Sequence, residues 1–487
     1  MGERRPAARD LEARRAKQES VETPDGIVSF QPARPKIGEP GAGLVIEGEE
    51  RSVHGRGDAS NAHIYWVSRA IGSLLERGLG KTRANRRHLP HVKDFQLVIV
   101  GGGLASARAI KSFREAGGEG SIALISKDST LPYHRPPLSK RFLRGETDEE
   151  PLVEDEAFYA DHGVEVMLET AVHKVDTGEC TVETADDTFR YQQLLLASGA
   201  WPRRLQVPGA ELENVFTLRT VGNSKAIRAA AGSAERAVIV GAGFIGMEVA
   251  SSLNQIGKDV SLIHLGRWLF DQLGVEQLSN ELAALYESKG VELVLGNEVE
   301  AFHGNGRLER VTTKNGREVE ADLAVVGVGV DAVTDFLDGS GVEVDNGVVV
   351  TERFETNVPD VYAAGDVANF FDPIFGKQRR IEHWSNANYQ GTEVGKVLAG
   401  ADGGFHTVSQ FFTEIFGITI RVFGDARRDA QVVVHGSLAD GEMFALYGDE
   451  NEEVIGALSV GQSDDVEELL KRQIATHAPL NELLTQF

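Results

Sequence analysis

From Phe95 onward the apolar positions fall into a repeating order: a short apolar run, a glycine-rich turn, a segment of helical period and a second apolar run. The order occurs twice, as FQLVIVGGGLASARAIKSFREAGGEGSIALIS from Phe95 and as RAVIVGAGFIGMEVASSLNQIGKDVSLIHLG from Arg236. Strands alternating with helices in this way predict parallel sheets joined by right-handed crossovers. After Asp331 short β segments and the stretch TNVPDVYAAGDVA follow. From about residue 405 the pattern changes to a few strands and a final helix near residues 465–473. Ahead of Phe95 the pattern is weaker. Residues 1–50 are rich in Arg, Glu, Pro and Gly, with AARDLEARRAKQ as a short polar helix, and residues 60–79 place Ile64, Val67, Ile71, Leu74 and Leu75 at helical spacing. Ser60 or Asn61 is the expected cap of that amphipathic helix.

Composition narrows the class. The 487 residues are 41% hydrophobic, enough for a large core in about three domains. The uncharged apolar runs, such as residues 97–107, fall short of the ~20 residues that span a bilayer. The first ten residues have no apolar h-region, so a cytoplasmic location without stable membrane insertion is expected. The net charge is −24, with 17 Lys+Arg against 12 Asp+Glu in residues 1–93, so the remainder carries −29. Such an acidic body argues against nucleic-acid binding. Cys180 is the single cysteine, which excludes an internal disulfide, a CxxC pair and a four-cysteine iron–sulfur cluster within the chain. It lies in ECTVETADDTF, which reads as a β-hairpin with Cys180 as a strand residue.

In each repeat an apolar strand runs into glycines and then a helix. Glycines let the backbone approach a pyrophosphate, and the helix N-terminus supplies free N–H groups and a positive dipole end. The second repeat matches G-x-G-x-x-G with Gly241, Gly243 and Gly246; the first has Gly101, Gly103 and, in the third place, the small Ser106. Two cradles imply two dinucleotides, most economically FAD with NADPH or NADH. Hydride then passes from nicotinamide to flavin and leaves as single electrons.

The stretches VIVGGGLASA, LPYHRPPLSK, LLLASGAWPRRL, VIVGAGFIGMEVA, VYAAGDVA and RRIEHWSNA occur in this order over some 300 residues. The chain thereby resembles the FAD-dependent pyridine nucleotide oxidoreductases, in particular the ferredoxin, putidaredoxin and rubredoxin reductases and apoptosis-inducing factor. The resemblance implies two Rossmann-like α/β domains of glutathione-reductase type plus an α+β C-terminal domain. A discontinuous FAD domain (94–213 and 331–400) would hold the inserted NAD(P)H domain (214–330), between an N-terminal extension (1–93) and the C-terminal domain (401–487). It implies FAD contacts from Gly101, Gly103, Ser106, Arg135, Lys140, Gly199, Asp366, Glu382, His383 and Trp384. Gly241, Gly243, Gly246, Glu248, His264, Arg267 and Gly329 would then serve NAD(P)H. Within this set Lys140 and Glu248 would pair at the junction of flavin and nicotinamide, as the catalytic residues.

The chain also departs from those relatives. Ser126-Lys127-Asp128 ends the second strand of the first repeat where relatives often have Ser-Glu. In the second repeat His264 stands where an acid would bind the NAD ribose, and Arg267 follows. The pair partly resembles the signature of NADPH-using thioredoxin reductases, so NADPH is slightly favoured and NADH kept open. Phe411-Phe412-Thr413-Glu414 replaces a Trp-Ser-Asp near the start of the C-terminal domain. No redox disulfide is available, so electrons are expected to reach a ferredoxin- or rubredoxin-like carrier on a separate chain. Candidate docking cations are Arg203–Arg204, Lys377, Arg379–Arg380 and Arg427–Arg428. The alternative expectation resembles apoptosis-inducing factor, with slow oxygen or quinone turnover and a signalling or assembly role. A homodimer is compatible with either.

Overall fold

The computed structural model describes residues 91–484. The helix expected at residues 60–79 and the polar helix before it lie outside the described residues. The first sheet is built on β1 (His91–Val100), with β2 (Ile122–Ile125) and β6 (Asp187–Leu196) parallel to it on either side. Beyond them lie β3 (Val164–Met167), β4 (Val172–Asp176) and β5 (Thr181–Thr184), giving the order β3-β2-β1-β6-β5-β4. Leu97, Val98 and Ile99 are wholly buried in the central strand. Each contributes about 1.5–3 kcal/mol by leaving water, which explains the continuous apolar run of a strand covered on both faces. The glycine turn after β1 feeds α1 (Leu104–Glu115), and α2 (Glu156–Asp161) precedes β3. Cys180 is not in a strand: it sits in the turn between β4 and β5, exposed, at φ +53°. The hairpin read in ECTVETADDTF is β5 and the start of β6, with its turn at Ala185 and Asp186.

β7 (Ala200–Pro202) leaves this sheet, and a second parallel sheet follows. Its elements are β8 (Val215–Thr217), α3 (Val221–Ser233), β9 (Arg236–Val240), α4 (Phe244–Gln255), β10 (Asp259–His264), α5 (Glu276–Ser288) and β11 (Glu292–Leu295). An antiparallel trio, β12 (Val299–His303), β13 (Arg310–Thr313) and β14 (Glu318–Glu320), precedes the last strand, β15 (Leu323–Val326). The sheet order is β11-β10-β9-β15-β8. The chain returns through β16 (Val330–Ala332), which pairs antiparallel with β7.

β17 (Val348–Val350) leads to β18 (Val361–Ala363), which rejoins the first sheet parallel to β6. After β19 (Ala368–Asp372) and β20 (Lys377–Arg380) comes α6 (Trp384–Leu398), which lies against α1. A Cβ at Gly391 or Gly395 would stand 2.5 Å from the Ala105 or Ala109 carbonyl oxygen, so these two glycines allow the close approach. That approach brings the start of α6 beside the start of α1. The last sheet is antiparallel: β21 (Gln410–Ile415), β22 (Ile418–Gly424), β23 (Gln431–Ser437), β24 (Glu442–Gly448) and β25 (Val454–Val460), ordered β21-β22-β25-β24-β23. α7 (Asp464–Ala475), capped by the Ser463 side chain, and α8 (Leu480–Leu484) complete it. Among the described residues no helix is long and apolar enough to cross a membrane.

Candidate active site

A cavity of about 750 Å³ runs from the first glycine turn to the C-terminal sheet. One end is formed by Gly101, Gly103 and the residues ending β2. The other is formed by Lys140, Glu248, Trp384 and Phe411. Gly101 has φ +116°, and a Cβ there would meet the Ala197 carbonyl oxygen at 2.1 Å. The third fingerprint position works differently in the two repeats. Ser106 is fully buried and its hydroxyl donates to the Gly101 carbonyl, whereas a Cβ at Gly246 would stand 2.0 Å from the Gly241 carbonyl oxygen. Serine thus fits one turn by bonding across it, and glycine the other by contact.

Neither α1 nor α4 has a side-chain cap, while α3 and α7 are capped by Thr220 and Ser463. The first N–H groups of the two cradle helices are therefore left for another acceptor. Arg135 bends over the first turn, its Nη1 3.6 Å from where a Gly103 Cβ would lie. Its guanidinium is enclosed and its Nε has no hydrogen-bond partner. Asp366 accepts from Arg219 at 2.8 Å. Burial pushes its carboxyl up, but Arg219 and Arg135 outweigh this and hold it below the usual carboxylate range. Uncapped N–H groups, an arginine whose Nε is buried and unpartnered, and an ionised carboxylate along one elongated cavity fit a dinucleotide with a pyrophosphate and a polyol chain.

At the far end three parts of the chain meet. Lys140 Nζ stands 2.7 Å from Glu248 Oε1 and donates to the Pro136 carbonyl at 3.2 Å. The Pro136–Ser139 turn is a short 3₁₀ helix that ends at Lys140, which accounts for the Pro-Pro preceding it. Glu248 also accepts from Ser139 Oγ at 2.5 Å and from Thr413 Oγ1 at 2.8 Å. His383 stacks on Phe411 (3.8 Å between ring centres, 9° between planes), with Phe244 of α4 against both rings. Enclosure pulls the His383 imidazole down to about 4, against the pull of Asp366, so it is neutral. Trp384 donates its indole N–H to His134 Nδ1 at 2.9 Å, which sets the direction its ring faces. Glu382 is paired with Arg380, and burial raises its carboxyl above the usual range.

The expected residues divide between two places, apart from Ser106, which is fully buried and does not line the cavity. Gly101, Gly103, Arg135, Lys140, Gly199, Asp366, Glu382, His383, Trp384 and Glu248 line the cavity. Gly241, Gly243, Gly246, His264, Arg267 and Gly329 do not; they cluster around the second turn and the ends of β10 and β15. There the Ala242 N–H donates to His264 Nδ1 at 3.3 Å while Nε2 is buried without a partner, and burial lowers the imidazole below its usual value. Arg267 is exposed with no ion pair among the described residues. Lys127, in the place of the expected acid, lies 5.5 Å over the Trp201 ring, and both residues line the cavity. Ser139, His134, Arg219 and Phe244 escape a reading of the sequence because each is defined by a partner far along the chain. Thr413 is visible only as a departure from the expected Trp-Ser-Asp.

Residues 95–391 match the family described as pyridine nucleotide-disulphide oxidoreductase. The chain is 33% identical over 341 residues to a rubredoxin-NAD(+) reductase of Pseudomonas putida, covering 69% of this chain and 89% of the relative. It is 34% identical over 373 residues to human apoptosis-inducing factor 3, covering 75% of this chain and 60% of that longer protein. The putidaredoxin reductase–putidaredoxin complex superposes with a TM-score of 0.75 at 27% identity, covering 79% of this chain and 94% of that one. With the match spanning both glycine turns and the start of α6, the chain belongs to the pyridine nucleotide-disulphide oxidoreductase family.

Proposed function

We propose that the protein takes hydride from a nicotinamide dinucleotide and passes single electrons to a redox carrier on a separate chain, of the ferredoxin or rubredoxin kind. Its cofactors are FAD and NADH or NADPH. Bound FAD supplies a two-electron acceptor that can release its electrons one at a time. The observation that carries this reading is the cavity itself, which is lined by the first cradle and, at its far end, by Phe244 and Glu248 of the second cradle's helix. In this reading the α1 N–H groups, Gly103 and Arg135 hold the pyrophosphate of FAD, and Asp366 accepts hydrogen bonds from its polyol. Lys140 places a cation at the junction, and Glu248, held by Ser139 and Thr413, fixes its direction. Phe244, His383 and Phe411 keep water from the point of hydride transfer. Hydride transfer itself requires no acid or base.

The domain boundaries stated for the sequence belong to the same reading. The break between β7 and β16 supports the inserted nicotinamide domain. A cytoplasmic location also belongs to it, since one cysteine leaves no internal disulfide for an oxidising compartment to maintain. The test is a visible spectrum of the purified protein under nitrogen before and after NADH or NADPH is added. A yellow protein whose flavin bands bleach within seconds is expected; a colourless protein that binds no added FAD overturns the reading.

A further inference from the structure

The basic clusters that could receive an acidic carrier are consumed within the fold. Lys377 pairs with Asp425 at 2.7 Å, Arg379 with Asp372 at 2.7 Å, Arg428 with Asp271 at 2.7 Å and Arg203 with Asp331 at 2.8 Å. Arg380 is held by Glu382, and Arg427 lies 3.6 Å from Asp425. Of these clusters Arg204 alone has no ion pair among the described residues.

A second groove, of about 450 Å³, opens beside the main cavity and shares Trp384, Ser385, Phe411 and Phe412 with it. Phe412 is 40% exposed here, and its ring centre is 6.0 Å from Lys140 Nζ, so one side chain separates the junction from solvent. The opposite wall is the first turns of α7. The cations on this wall and on β22 are engaged, Arg421 with Glu467 at 2.9 Å and Lys471 with Glu468 at 2.7 Å. Asp464, which lines this wall, is exposed and has no cationic partner among the described residues; its neighbour Asp465 and, two turns on, Arg472 are likewise exposed and unpaired but lie outside the groove's lining. The groove is therefore aromatic on one side and acidic on the other, on a body carrying −29 from residue 94 onward.

We propose that this groove is where electrons leave, and that it receives a redox-carrier protein presenting a basic face around an apolar contact. The inference rests on the electron-transfer reading above and adds the sign of the partner's charge. Opposite charge steers encounter and like charge opposes it, by about 10- to 1,000-fold in association rate at low salt. An acidic carrier would meet Asp464 in a groove whose own cations, Arg421 and Lys471, are already paired.

The experiment compares native cytochrome c, which has a lysine-rich face around its haem edge, with succinylated cytochrome c, in which that charge is reversed. Turnover is measured under nitrogen with the FAD-loaded full chain, and reduction of neutral menadione normalises for cofactor loading. Relative to menadione, native cytochrome c should be reduced at least tenfold more efficiently at low salt, and the advantage should shrink as salt rises. The double variant Asp464→Lys/Asp465→Lys should lower kcat/KM for native cytochrome c about tenfold and raise it for the succinylated form. Asp186→Lys, on the β5–β6 turn, should change neither. Preference for the succinylated form, or an equal loss in Asp186→Lys, overturns the proposal. Equilibrium binding of the two oxidised carriers to the same variants, without nicotinamide, must show the same order. If no acceptor is reduced, menadione included, the electron-transfer reading fails, while the binding order still decides the charge of the partner.

Discussion

Glu248 is the residue on which the site converges. It is 4% exposed and receives Lys140, Ser139 and Thr413, from two segments over 100 residues away on either side. A buried ion pair adds little net stability, but one left without its partner costs about 3–5 kcal/mol. Lys140→Ala should therefore lower unfolding free energy by about that amount in urea denaturation. Lys140→Met/Glu248→Met should recover much of it. In both variants flavin bleaching by NADH, followed by stopped flow, should be at least tenfold slower with FAD still bound; bleaching at the normal rate would exclude a part for the pair in hydride arrival. His383 yields a second residue-scale prediction. Its imidazole titrates near 4 in the fold, against about 6.5 in an unfolded chain. The unfolded chain therefore takes up the proton first as pH falls, and the stability due to a neutral His383 is lost between about 6.5 and about 4. The denaturation midpoint should fall more steeply over this window in the normal protein than in His383→Phe.

At the scale of elements, strand β21 does two jobs by simple alternation. Phe412 faces the groove and Thr413, its neighbour, is wholly buried against Glu248, as successive strand residues point to opposite faces. Thr413→Val keeps the shape and removes the hydrogen bond to a charged acceptor, a loss of about 1.5–3 kcal/mol. Thr413→Ser should restore most of it, and Phe412→Ala should cost less than either in thermal melts. The second cradle's turn offers a matched contrast. A Cβ at Gly246 collides with backbone, but at Gly243 it meets nothing within 4 Å. Gly246→Ala should lower the melting temperature by several degrees, whereas Gly243→Ala should fold normally and weaken NADH binding about tenfold or more by fluorescence titration. Equal melting losses would contradict the geometry.

Across the whole molecule, what could be read from the sequence was what repeats locally. Strand, glycine turn and helix are contiguous, so both cradles and their sheets were legible, as was α7, though not the short α8 that follows it. Contacts between distant segments were not: Trp384 finds His134 across 250 positions, and the arginine clusters look free until the fold brings Asp271, Asp372 and Asp425 to them. Cys180 was misplaced because a hairpin's residues show their alternation before they show where the turn lies. The long cavity bears on global stability too. A ligand held only by the native state stabilises it in proportion to RT ln(1 + [L]/Kd), about 2.7 kcal/mol at a hundredfold excess over Kd. Removing FAD should accordingly lower the melting temperature, and adding FAD back should restore it in a concentration-dependent way.

The β7–β16 ribbon has a practical consequence. Because these two strands pair antiparallel, residues 200 and 332 are direct neighbours, about 4.5–5.5 Å apart between Cα atoms. The segment from 203 to 329 thus leaves and rejoins the chain at two ends that are already side by side, while Glu248 and Phe244 tie it to Lys140, Thr413, His383 and Phe411. A block exchanged at these two cuts would have to match three paired residues on each strand and also keep the partners of Glu248 and Phe244. The same ribbon is where new chain ends, introduced within the segment, could be compensated by a short linker joining residues 200 and 332.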